Sequence, residues 1–218
     1  MINFMMEWLG LIIYKPKEAF KKVATVSYFW PGFIIVMFIA LFSSFYSRWV
    51  FFYQIDNFFS NVSPELNSIL QSGVVALLQS RFLFIIGIIL AIVFHFFITS
   101  FYLLWIHLFG YSIKACYLWN SLALASIPTF FQQLLFLILS FFFNVFEFPA
   151  LTLSLSFFAW IWSFYLFILA VSTGGNIKTK NSLLIVLLPW VLILIFFISL
   201  MIWTVYFSLA HPSFFKLD

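Results

Sequence analysis

Charge is scarce in this sequence: Asp, Glu, Lys and Arg make up 7% of its 218 residues, against 66% hydrophobic ones. A water-exposed globule of this size needs more polar side chains than that to cover itself, so the solvent must be lipid. Acids are fewest, six in all, and none falls in the middle of an apolar run, so a membrane proton relay lacks its carboxylates. Cys116 is the single cysteine, which excludes an intrachain disulfide and reads as a plain small residue before an acylation site. No repeat, Gly/Ser linker or low-complexity tail is present, so residues 1–218 read as one membrane domain. HExxH, paired cysteines, a Walker-type loop and GxSxG are missing, which points to a non-enzymatic protein with no metal and no cofactor.

What is present is five long apolar runs, at residues 33–53, 82–109, 118–143, 150–171 and 183–207. Each is near or above the roughly 20 residues a helix needs to cross a hydrocarbon core of about 30 Å. The runs are apolar all round, whereas barrel strands alternate, and in lipid a lone segment satisfies its backbone only as a helix. The fold class is therefore all-α, a polytopic membrane bundle of five transmembrane helices with a short N-terminal interfacial helix. Glu7 interrupts the first apolar stretch and the lysines follow it, so a cleavable signal peptide is not expected. Pro128 and Pro189 lie inside the third and fifth runs, where each frees a carbonyl one turn earlier and bends its helix. Short connections at residues 110–117, 144–149 and 172–182 make consecutive helices antiparallel neighbours.

The basic residues divide unevenly between the two ends of such a bundle. One end receives Lys15, Lys17, Lys21, Lys22, Lys114, Lys178 and Lys180; the other receives Arg48, Arg81 and Lys216. By the positive-inside rule the N-terminus is cytoplasmic and the C-terminus outside. These lysines form no dense basic face with stacking aromatics, so nucleic acid is not a partner. Over residues 15–24, Pro16 suits a first helical position, Glu18 can pair with Lys22, and Ala19, Phe20 and Val23 share a face opposite the lysines. Either this is a helix whose Lys15, Lys17, Lys21 and Lys22 touch anionic headgroups, or it is a basic flank that only sets topology. Ser63, Pro64 and Glu65 read as a further helix start in the outer connection.

Few polar residues lie within the runs. His95, Thr99 and Tyr102 fall at i, i+4 and i+7 on the second span, a candidate intramembrane polar stripe. A neutral packing histidine is the simpler reading of His95, and His107 is about 18 Å along the helix, too far to share a metal. His211 lies in the outer tail. Gln132 and Gln133 follow Pro128 by one turn and are placed to donate to carbonyls the bend exposes. Gly174, Gly175 and Asn176 form a turn, not a phosphate loop. Ser156, Ala159 and Ser163 offer a small-residue face for packing within the monomer or for self-association.

Four segments together resemble the Yip family, the Ypt/Rab-interacting five-pass membrane proteins. They are Tyr14-Lys15-Pro16-Lys17-Glu18-Ala19-Phe20-Lys21-Lys22-Val23, then His107-Leu108-Phe109-Gly110-Tyr111-Ser112-Ile113-Lys114-Ala115. Ser121-Leu122-Ala123-Leu124-Ala125-Ser126-Ile127-Pro128 and Trp160-Ile161-Trp162-Ser163 follow, with Lys178-Thr179-Lys180-Asn181-Ser182 leading into the last span. The resemblance implies five spans with a cytoplasmic N-terminus and, in eukaryotic members, work with Rab-type GTPases through a long N-terminal region. No such region precedes the first span, so Rab-type GTPase binding is not expected, and the compact form is similar to prokaryotic members of a cytoplasmic membrane. The expected role is membrane organisation or scaffolding, with the bilayer, other membrane proteins or the protein itself as partners. A small transporter using the His95 stripe is the alternative.

Overall fold

The computed structural model describes residues 2–59, 81–142 and 148–210, and every regular element in them is a helix. The expected helix start at Ser63 to Glu65, the 144–149 turn and His211 lie outside the described residues, apart from the last two positions of that turn. In chain order the helices are α1 (Ile2–Tyr14), α2 (Pro16–Val23), α3 (Trp30–Phe59), α4 (Arg81–Leu108), α5 (Ala115–Ala125), α6 (Ile127–Ser140), α7 (Pro149–Gly174) and α8 (Thr179–Ala210). Four of them carry a proline in the first turn, Pro16, Pro31, Pro128 and Pro149, where the missing N–H has no intrahelical acceptor to lose.

Five stretches are long and apolar enough to span a membrane: Trp30–Val50, Phe84–Leu108, Ala115–Ser140, Ala150–Gly174 and Thr179–Phe207. They coincide with the five expected runs to within a few residues at each end. The third is two helices laid end to end, because Pro128 does more than bend it. α5 stops at Ala125, Ser126 is a turn, and α6 restarts at Ile127. Ser126 spans the break, its Oγ–H donating to the Leu122 carbonyl at 3.1 Å and its own carbonyl accepting from the Thr129 N–H at 3.2 Å.

α5 is the axis of the bundle. Residues Tyr117 to Ala125 are buried without interruption, because α2, α3, α4 and α7 all pack around them. α7 is the second axis, with Leu166 to Val171 buried on every face among α2, α5 and α8. α3 and α4 pair on one side of α5, and α8 flanks α7 on the other. Beyond Pro189, α8 is exposed on all sides, its Ile195, Phe196, Phe197, Met201, Ile202 and Trp203 turned outward, which only lipid makes tolerable.

α1 has no counterpart among the expected elements. It is a helix because Trp8 and Ile12, one turn apart, insert into the core at 0% and 1% exposure. α2 forms over the expected residues, and its Ala19, Phe20 and Val23 are each 0% exposed, sealed against α1, α5 and α7. Its apolar face therefore meets protein and not acyl chains. The expected Glu18–Lys22 pair gives way to two others: Glu18 pairs with Lys15 at 3.5 Å, and Lys22 reaches back to Glu7 on α1. Lys22 can do so because α1 folds back beside α2, a long-range contact that helical spacing within α2 does not encode.

Candidate functional site

α3 and α4 diverge to leave a groove of about 530 Å³ that carries several polar side chains. On α3, Ser43, Ser44, Ser47 and Arg48 fall at i, i+1, i+4 and i+5 and so line one face. On α4, Gly87, Ala91, Phe94, His95 and Ile98 form the opposing wall, and Ser126 from the α5–α6 break lies at the base. The walls close on each other at Gly87, where a Cβ would stand 3.3 Å from Ser44 Oγ. Arg48 stands at the mouth with its guanidinium 5.0 Å from the centre of the Phe84 ring.

The α3 hydroxyls of this groove differ from most others in the bundle. Thr99, Ser154, Ser156 and Ser199 donate to the carbonyl one turn back on their own helix, at 2.7 to 2.9 Å, the usual way a membrane helix hides a hydroxyl. Ser43 instead donates to Gln133 Oε1 on α6 at 2.8 Å. Ser44 and Ser47 make no hydrogen bond among the described residues, so two hydroxyl groups open onto the groove.

The three residues of the sequence stripe face three different spaces. His95 lines the groove, with Nε2 donating to the Trp119 carbonyl at 3.2 Å and the ring edge-on to the Trp119 indole, 4.5 Å between centres. A carbonyl offers only lone pairs, so Nε2 carries the proton and Nδ1 is the basic nitrogen of the neutral ring. Thr99 is buried and turns to a separate, almost wholly apolar space of about 400 Å³ beside Phe33 and Trp119. Tyr102 lines a third, of about 360 Å³, between α4, α7 and α8. Its hydroxyl donates to the Val186 carbonyl at 3.2 Å, while Trp105 Nε1–H donates to Ile185 at 3.0 Å. Ile185 is the residue four before Pro189, whose carbonyl the proline leaves without its N–H donor. Gln132 and Gln133 take no part in the Pro128 break: Gln132 donates to Ser156 Oγ on α7 at 2.9 Å, and Gln133 accepts from Ser43.

At the opposite end of the bundle from Arg48, Lys15 just before α2 and Lys17 and Lys21 on it are exposed, and Lys22 is half-buried beside Glu7. Lys15, Lys17 and Glu18 border a shallow hollow floored by Tyr165 of α7. The start of α3 is fixed from α5. Asn120, 0% exposed, accepts the Gly32 N–H at 2.8 Å through Oδ1 and donates through Nδ2 to the Tyr28 carbonyl at 3.0 Å. Tyr117 lies flat on Gly174, where a Cβ would meet its ring, and donates to the Ala170 carbonyl at 2.8 Å. Neither pairing is visible in the sequence, since residues 32 and 120 meet only after folding. The serine row was readable as spacing on one face next to an arginine, but Arg48 carried only a topological meaning there.

Among the described residues no group of three His, Cys, Asp or Glu could hold a metal ion. A family model described as Yip1 domain matches residues 9–201, from α1 to within the last turns of α8. No curated protein and no solved structure matches the chain.

Proposed function

The chain belongs to the Yip1 domain family and is an integral membrane protein, and from that premise we propose a non-enzymatic component that organises the bilayer or scaffolds other membrane proteins. The observation that carries this reading is the docking of α1 and α2. Phe20 and Val23 are locked into the core while Lys15, Lys17 and Lys21 face outward, so the cations are held as a fixed platform and do not hang from a loose tail. Anionic headgroups attract such lysines by about 1 kcal/mol each near the surface. In this reading residues 1–218 form one domain in a prokaryotic cytoplasmic membrane, with the lysine end cytoplasmic and the C-terminus outside.

The test is affinity purification of the tagged protein from its native membrane in mild detergent, with partners identified by mass spectrometry. A reproducible stoichiometric partner is the expected result; recovery of a monomer or homo-oligomer alone overturns the scaffold role. A small transporter is the second reading, favoured by the groove that His95 shares with Ser44 and Ser47. Under that reading His95→Phe abolishes solute flux into reconstituted vesicles, and undiminished flux removes its central residue.

A further inference from the structure

The geometry points to the cavity between α4, α7 and α8 as a binding site for the ring of an isoprenoid quinone. This space of about 360 Å³ lies at the same depth on every wall. Ile98 of α4 and Pro189 of α8 are ten residues from the lysine-end termini of their helices, and Ser126 and Ser163 are eleven from those of α5 and α7. That is about 15–17 Å at 1.5 Å per residue, the midplane of a hydrocarbon core about 30 Å thick. A phospholipid headgroup does not reach the midplane, and no charged side chain among the described residues lines the cavity to receive an ion or a charged solute. The occupant this depth admits is a neutral lipid that carries polar atoms into the centre of the bilayer.

Two features of the walls say which neutral lipid. Phe94, Phe101, Trp160, Phe164, Phe167 and Trp190 surround the space, so a flat ring finds faces and edges to pack against. Thr129 of α6 and Ser163 of α7 supply the polar contact. Their hydroxyl oxygens are 3.5 Å apart, at the limit of a hydrogen bond, and neither has another partner among the described residues. Two hydroxyl protons and one mutual bond leave at least one O–H to donate, and a bilayer core has no water to receive it. A ring carbonyl accepts that bond; bare hydrocarbon does not. The other hydroxyls of the cavity are occupied, Ser126 with Leu122 and Tyr102 with Val186. The cavity also shares Phe94, Ile98 and Ser126 with the α3–α4 groove, whose deep part is Val36, Ile39 and Ala40, so the isoprenoid tail has an apolar way out beneath α4. Aromatic walls with a few convergent polar groups are the usual make-up of a small-molecule site between helices. This inference rests on the cavity alone and stands apart from the scaffolding role.

The test is native mass spectrometry of the full chain in detergent with one of three probes added: a ubiquinone bearing a two-unit isoprenoid tail, geranylgeraniol, which has a tail and no ring, or phosphatidylglycerol. A one-to-one ubiquinone adduct is expected, held about tenfold more tightly than geranylgeraniol through ring packing and one hydrogen bond. Thr129→Val with Ser163→Ala, which removes both hydroxyls with little change of shape, should weaken that adduct about fivefold. Thr129→Leu, at an exposed position, should expel the ring by filling the cavity, and Cys116→Ser should leave the adduct intact. Comparing the probes on the wild type decides the matter even where a variant unfolds. The proposal fails if no ubiquinone adduct forms, if geranylgeraniol or phosphatidylglycerol is held as tightly, or if the double variant or Thr129→Leu binds ubiquinone as the wild type does.

Discussion

Asn120 shows how one side chain sets the position of a whole span. α3 begins after Phe29, whose side chain offers no acceptor, so its first N–H groups need acceptors from elsewhere. Asn120 satisfies the Gly32 N–H and the Tyr28 carbonyl together, and it approaches so closely that a Cβ on Gly32 would stand 2.6 Å from its Oδ1. Asn120→Ala leaves the buried Gly32 N–H and the part-buried Tyr28 carbonyl without this partner, and the expected loss is roughly 1–3 kcal/mol, seen as a lower midpoint in SDS-induced unfolding. Gly32→Ala should cost about 1–3 kcal/mol by overpacking the same contact. Gly10→Ala, in α1 with nothing within 4 Å, should instead raise stability by up to about 1 kcal/mol, the ordinary gain from replacing helical glycine. Equal responses at positions 10 and 32 would contradict the close approach.

At the scale of elements, the two prolines inside the expected spans have different outcomes. Pro189 stays within a continuous α8, where α4 supplies the donor the proline removes: Trp105 donates to Ile185, and Tyr102 adds a second bond to the next carbonyl, Val186. In a Pro189→Ala background the restored N–H serves Ile185, and Trp105 becomes redundant. Trp105→Phe is therefore expected to cost about 0.6–1.7 kcal/mol in the wild type and close to nothing in that background, a coupling that a double-mutant cycle in SDS unfolding measures. Additive losses would mean that Trp105 acts by packing alone. At Pro128 no neighbour intervenes, and the helix stops and restarts through Ser126. The positions of both prolines were legible in the sequence, because a missing N–H is a covalent fact. Which one breaks its helix was not, because that depends on a tryptophan from another span. The same distinction holds at Phe20: its periodicity gave the apolar face of α2, while the surface it meets depends on α1 folding back with Trp8 and Ile12. In the groove, the stripe spacing of His95, Thr99 and Tyr102 was readable, yet adjacent turns of α4 face different neighbours and so open onto different spaces.

For the whole molecule the decisive feature is the asymmetry of its ends. Lys114 precedes α5, Lys178 and Lys180 flank the start of α8, and α2 adds its lysines beside them, so the basic residues gather where four helix ends meet. Arg48 is left near the other end, and a bundle charged this way has a preferred direction in any membrane whose cytoplasmic leaflet is anionic. With Cys116 replaced by Ser, Lys180→Cys and Lys17→Cys are expected to react with a membrane-impermeant maleimide only after permeabilisation of cells expressing the protein. Labelling of both in intact cells would invert the orientation.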